Sequence, residues 1–175
     1  GSCFPKDTLA LVKTAELTGG RISIVEEVVR YNQERKLSMT GRILSQMSSG
    51  VSGKTISILG LAFKPETDDM RDSPALDIIP DLISKGANVV AYDPAAMLQA
   101  KELFSEKVVY AANSEACITD ADVCVIITEW NEFRAINAAK FLGLMKGNVV
   151  IDLRNVYLPR EMRDAGLKYT SIGRR

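Results

Sequence analysis

Cys3 stands in Gly1-Ser2-Cys3-Phe4-Pro5-Lys6-Asp7, close before a helix start, with a lysine and an aspartate three and four residues on. A helix dipole and the Lys6 ammonium would both lower the pKa of such a thiol, and the thiolate is the nucleophilic form. Asp7 could position a water or cap the helix. The chain has no histidine, which excludes Ser-His-Asp and Cys-His catalysis and any zinc site that needs imidazole. Proton transfer must then use a carboxylate, Lys, Tyr or Cys, or come from another chain. Cys117 and Cys124 fall in apolar segments and read as small core residues. Three cysteines without a CxxC pair fit a reducing cytoplasm better than a disulfide framework.

Three other segments carry unusual chemistry. Gly60-Leu61-Ala62-Phe63-Lys64-Pro65 follows an apolar run where a dinucleotide fold would carry GxGxxG, but Ala62 and Pro65 replace the later glycines. Lys64 beside Phe63 offers a cation for a phosphate and an aromatic face for a ring; the plainer alternative is a core Phe63 and a solvated Lys64. Glu66-Thr67-Asp68-Asp69-Met70-Arg71-Asp72 is an acidic loop holding one arginine. Its carboxylates lack the spacing of a metal loop, and no metal is expected. Arg71 suits a phosphate. Ile151-Asp152-Leu153-Arg154-Asn155 ends an apolar segment, and Arg154 would point over the same crevice as Lys64 or pair with Asp152 or Asp93. Asp93, before Pro94, is either a ribose-binding acid or a turn residue.

These segments need a scaffold, and the pattern supplies one. With 175 residues, 46% of them hydrophobic and 25% charged, a packed core is within reach. Twenty-two basic residues balance 22 acidic ones, so no global field attracts nucleic acid or an anionic membrane, and no membrane span or secretion leader is expected. Asp7 to Leu17 reads as a short helix stopped at Gly19-Gly20. A second helix is expected from Ile22 to Met47, about 39 Å long, its apolar stripe interrupted by Asn32 and Lys36. A helix that long on a small domain should bridge two domains or pack against a second copy, so a homodimer through 22–47 is expected. The small residues around Gly50 divide the chain into 1–50 and 51–175. Beyond them strand and helix patterns alternate, with strands near 55–60, 88–92, 108–110, 122–128, 149–152 and 169–172. That alternation predicts an α/β fold with a doubly wound, parallel sheet, whose ligands bind beyond the carboxyl ends of the strands.

The ordered set Gly1 to Asp7, Gly60 to Pro65, Thr67 to Pro74, Tyr92-Asp93-Pro94, Thr128-Glu129-Trp130 and Asp152 to Asn155 resembles the UDP-glucose/GDP-mannose dehydrogenase family over essentially the whole chain. The resemblance implies a catalytic-cysteine segment and central dimerisation helix in 1–50, and a Rossmann-like UDP-sugar-binding domain in 51–175. It also implies oxidation of a sugar primary alcohol to a carboxylate with two NAD, in nucleotide sugar metabolism and polysaccharide biosynthesis. Cys3 would then form a thiohemiacetal and a thioester with the sugar, and Asp7 would orient or deprotonate the hydrolytic water. Gly1, Phe63, Lys64 and Arg154 would contact the UDP-sugar, while Lys6 and Arg71 would reach NAD. Phe4-Pro5-Lys6-Asp7 leans toward UDP-glucose over a UDP-N-acetyl sugar or GDP-mannose. The family's N-terminal NAD-binding domain has no counterpart in these residues, so the chain is expected to be inactive by itself. The competing expectation is a nucleotide-sugar-binding or dimerisation module without catalysis, in which Cys3 is incidental.

Overall fold

A computed structural model describes residues 3–48 and 50–174. Two helices come first, α1 (Cys3–Leu17) and α2 (Ser23–Leu44). The alternating part follows as β1 (Thr55–Leu59), α3 (Ala75–Ser84), β2 (Asn88–Tyr92), α4 (Met97–Phe104), β3 (Val108–Tyr110), α5 (Ser114–Ile118), β4 (Val123–Ile126), α6 (Asn131–Arg134), α7 (Ala138–Leu144), β5 (Val149–Asp152), α8 (Pro159–Asp164) and β6 (Lys168–Ser171). The strands form one sheet in the order β3-β2-β1-β4-β5-β6, and every neighbouring pair is parallel. The chain winds outward from β1 to β3, then crosses back to β4 and winds the other way. The crevice of such a sheet opens beyond the carboxyl ends of β1 and β4, where the direction reverses.

Alternation along the strands divides the core in two. Ile56, Ile58, Val123 and Val125 face one layer with Ile78, Ile79 and Leu82 of α3 and Ile43 of α2. Leu59, Cys124, Ile126 and Val150 face the other, with Cys117, Phe133, Phe141 and Met162. Both faces are covered, which is why these strands read as unbroken apolar runs. The readings of Cys117 and Cys124 as core residues hold, since both are fully buried.

Two helix boundaries differ from the sequence reading by three residues or more. Helix α1 begins at Cys3 and not at Asp7. Pro5 is compatible with a first turn because its missing N–H has no intrahelical acceptor there. Thr8 donates back to the carbonyls of Phe4 and Pro5 at 2.9 Å each. Helix α2 ends at Leu44, giving about 33 Å rather than 39 Å. Tighter bonds from Gln46 to Ile43 and from Met47 to Leu44 close it before Gly50, whose φ is +78°. Within α2 only Met39, Thr40 and Ile43 are buried, so most of the helix stands clear of the sheet. No helix among the described residues is long and apolar enough to cross a membrane.

Candidate functional site

The turn after β1 is the most constrained backbone at the crevice. Gly60 has φ +93°, and a Cβ built on it would lie 2.4 Å from Thr128 Cβ. The N–H groups of Leu61 and Ala62 donate to Asp93 Oδ2 at 2.7 and 3.0 Å. Their carbonyls accept from Ser73 Oγ at 2.6 Å and Thr128 Oγ1 at 2.5 Å. Trp130 Nε1 adds a third donor to Asp93 Oδ2 at 3.1 Å, and the other carboxylate oxygen takes Ala95 and Ala96 N–H at 2.9 Å each. Asp93 is fully buried. Of its two readings, the turn residue is the one the structure supports, and a ribose has no access to it. The arrangement also tests the turn as a dinucleotide cradle. The N–H groups that a pyrophosphate would require are already satisfied by a carboxylate of the protein itself.

Held in this way, the turn delivers Phe63 and Lys64 to the rim. Lys64 is exposed, with its ammonium 5.7 Å from the centroid of the half-buried Phe63 ring. Phe63 is therefore neither wholly core nor wholly free.

Asp152 does the same work at the end of β5. Its Oδ1 accepts from Arg154 N–H at 2.9 Å, and its Oδ2 from Val156 N–H, Tyr157 N–H and the Tyr169 hydroxyl at 2.7, 3.1 and 2.6 Å. Burial, reinforced by Asp152, raises the Tyr169 pKa, so the phenol stays a donor. The turn projects Arg154, and its guanidinium does not take the alternative of pairing with Asp152 or Asp93. It forms a two-pronged bond with Glu129, Nε to Oε2 at 2.5 Å and Nη2 to Oε1 at 2.7 Å. Burial pushes the Glu129 carboxyl up, and the hydrogen bond and charge of Arg154 outweigh it, leaving the group below its usual range. Thr128 and Glu129, named in the sequence only within Thr128-Glu129-Trp130, are the positions whose individual contacts at the crevice sequence reasoning passed over; the signal they offered was their place at the end of β4.

Cys3 is exposed in the first turn of α1, with Lys6 and Asp7 at the i+3 and i+4 positions of one face. Lys6 Nζ lies 3.6 Å from Asp7 Oδ1. Cys3, Lys6, Arg71 and Asp72 together line a concavity of about 140 Å³. Sequence reasoning placed Lys6 and Arg71 in one role without a contact between their segments, and the fold brings them together. Arg71 is anchored by Asp69 through Nε and Nη2 at 3.0 and 2.8 Å, and that hydrogen bond raises its pKa further. Asp72, at φ +59°, meets Lys36 of α2 at 3.5 Å. Asp68 accepts from Gln99 Nε2 at 2.6 Å. The acidic loop thus spends these carboxylates on separate partners. Gly1, expected at the substrate, lies outside the described residues.

Residues 57–159 match the UDP-glucose/GDP-mannose dehydrogenase family, UDP binding domain. The chain belongs to this family. It is 45% identical over 174 residues to UDP-glucose 6-dehydrogenase TuaD of Bacillus subtilis (strain 168), covering 99% of this chain and 38% of that protein. It is equally similar to UDP-glucose 6-dehydrogenase of Rhizobium meliloti (strain 1021), at 45% identity over 99% of this chain and 40% of the relative. Among solved structures, a UDP-glucose dehydrogenase from Pyrobaculum islandicum superposes with a TM-score of 0.78 and 32% identity, over 97% of this chain and 36% of that one. UDP-D-ManNAc dehydrogenase from Pyrococcus horikoshii gives a TM-score of 0.78 at 28% identity, over 99% and 38%. The chain therefore spans 38–40% of the length of these curated relatives. In the dehydrogenase-family domain the matched residues include the Gly60 turn, the Asp93 and Asp152 anchors and the Glu129–Arg154 pair.

Proposed function

We propose that this chain is the UDP-sugar-binding and catalytic-cysteine portion of a UDP-glucose 6-dehydrogenase, which oxidises UDP-glucose to UDP-glucuronate with two NAD. The observation that carries the reading is the crevice itself. Its backbone anchors are internal and closed, while Phe63, Lys64 and Arg154 are left at its rim to meet a ligand. An aromatic face with a cation beside it, and a guanidinium at the end of a neighbouring strand, suit a uridine diphosphate. The resemblance to UDP-glucose 6-dehydrogenases along 99% of the chain supports the same substrate.

Cys3 acts on the sugar aldehyde in this reading. Its thiolate sulfur adds to the carbonyl carbon, and the carbonyl oxygen takes up a proton to give a thiohemiacetal. Loss of a hydride from that carbon and a proton from the oxygen leaves a thioester on Cys3. Water then adds to the thioester carbon, Asp7 receives one of its protons, and the C–S bond breaks to restore the thiolate and release a carboxylic acid, which loses its remaining proton to solvent. Lys6 and Arg71, gathered with Cys3 around one small concavity, would hold an anionic part of NAD. When bound, NAD supplies the hydride acceptor. A concavity of about 140 Å³ admits only part of a dinucleotide, and the β1 turn offers no free N–H pair for its pyrophosphate. Most of the NAD site thus belongs to protein outside this chain, and the chain alone is inactive.

A homodimer through α2 fits the exposed stripe of Ile24, Val28 and Tyr31 at helical spacing. The proposed setting is cytoplasmic, with UDP-glucuronate feeding polysaccharide biosynthesis. The test is calorimetric titration of the 175-residue chain with UDP, UDP-glucose and GDP-mannose, repeated on Lys64→Ala. Uridine-selective binding that weakens in the variant is expected. Equal affinity for GDP-mannose, or no effect of Lys64→Ala, would count against the reading. Light scattering that returned a monomer at high concentration would remove the dimer.

A further inference from the structure

A cavity of about 250 Å³ lies between α2 and the carboxyl ends of β4 and β5. Asn32, Arg35 and Lys36 line it from the helix, and Ile127, Leu153 and Arg154 from the sheet. Three cations face one space. Two of them are neutralised, Arg154 by Glu129 at 2.5 and 2.7 Å and Lys36 by Asp72 at 3.5 Å. Arg35 has no carboxylate partner among the described residues, so the uncompensated charge of the cavity rests on it.

We propose that Arg35 is a further ligand-binding residue that, with Arg154, takes the diphosphate of the nucleotide sugar. The proposal rests on the nucleotide-sugar reading of the crevice and adds a residue from the helix otherwise assigned to dimerisation. Its first support is elimination within the crevice. The Leu61 and Ala62 N–H groups are occupied by Asp93, so the turn after β1 does not offer them to a phosphate, whereas the cavity offers its side-chain cations. A guanidinium offers paired donors in a geometry that fits phosphate oxygens. Volume is the second support. The cavity is smaller than the roughly 300–1,000 Å³ of a whole small-molecule site, and so suits one portion of a ligand. Spacing is the third. The ends of β1 and β5 are separated by β4, which places them roughly 10 Å apart. A uridine over Phe63 and Lys64 can extend its diphosphate across that distance toward Arg154 and Arg35. Ile127 and Leu153 supply the apolar side of the cavity.

The experiment is calorimetric titration of the chain with UDP, uridine and inorganic pyrophosphate, using native protein, Arg35→Gln, Arg35→Lys and Lys64→Ala. Arg35 is exposed, so its variants should melt with the native protein. Arg35→Gln is expected to weaken UDP and pyrophosphate about 10-fold, to leave uridine unchanged, and to be partly rescued by Arg35→Lys. Native affinity for UDP and pyrophosphate in Arg35→Gln overturns the inference. If Lys64→Ala still weakens UDP in that case, the crevice reading survives alone. Pyrophosphate binding that is lost in Arg35→Gln, with UDP indifferent to Lys64→Ala, keeps the anion site and overturns the uridine reading. Absence of any binding by the native chain overturns both.

Discussion

Gly60 packs so closely against Thr128 that a methyl group at Gly60 would lie 2.4 Å from Thr128 Cβ. The same threonine donates to the Ala62 carbonyl at 2.5 Å, so the turn after β1 is clamped from the turn after β4. Gly60→Ala must relieve this clash and also adopt φ +93° with a Cβ. The expected cost is about 3 kcal/mol or more, read as a large drop in the urea midpoint. A midpoint matching the native chain would mean that these turns do not pack together.

Asp93→Ala strands the N–H groups of Leu61 and Ala62 and the indole N–H of Trp130. A buried donor left without a partner costs about 1–3 kcal/mol, so a loss of about 3–5 kcal/mol in unfolding free energy is expected. UDP affinity should fall as well, although Phe63 and Lys64 are untouched, because the turn that presents them loses its anchor. Native stability in this variant would contradict the role given to Asp93.

The three thiols should separate cleanly by reactivity. Burial pushes the Cys124 thiol up to about 12 and raises that of Cys117 too, so both stay protonated and shielded near neutral pH. Cys3 is exposed. Iodoacetamide at pH 7.5 is expected to modify Cys3 alone while the protein is folded, and all three once it is denatured. Peptide mass spectrometry that found Cys117 or Cys124 labelled at a similar rate in the native state would refute the packing described for them.

Acid should loosen two ties between strands and turns. Burial pushes Asp122 up, but the Thr55 N–H, Lys54 and Lys146 outweigh it and hold the carboxyl below its usual 3.8. Glu129 is likewise held below its usual 4.5, by Arg154. Both pKa values are depressed on folding, so the stabilisation is complete above the unfolded values and is lost as pH falls through the folded ones. The melting temperature is expected to hold from roughly pH 7 to 5 and to fall from about pH 4.5 downward. Asp122→Asn should flatten that fall. An acid limb as steep in Asp122→Asn as in the native chain would show that Asp122 contributes little to it.

Much of this protein can be read along the chain because the relevant signals are local. The apolar runs at 55–59, 123–126 and 149–152, separated by helical segments, dictate strands covered on both faces and hence a parallel doubly wound sheet. The positions of Phe63, Lys64 and Arg154 just past strand ends follow from that pattern, since strand ends are where such a sheet opens. The partners of these residues are not local. Arg154 is 25 residues from Glu129, Asp93 is 31 and 32 residues from the N–H groups it accepts, and Lys36 reaches 36 residues to Asp72. Each pairing selects one carboxylate among several at the strand ends, and only the strand order and the close packing of the turns determine which one is within reach. Sequence alone therefore determined the sheet and the groups at its rim. Tertiary structure decided which acids are internal anchors and which cations are neutralised, and of the three cations lining the cavity beside α2 it left Arg35 without a carboxylate partner among the described residues.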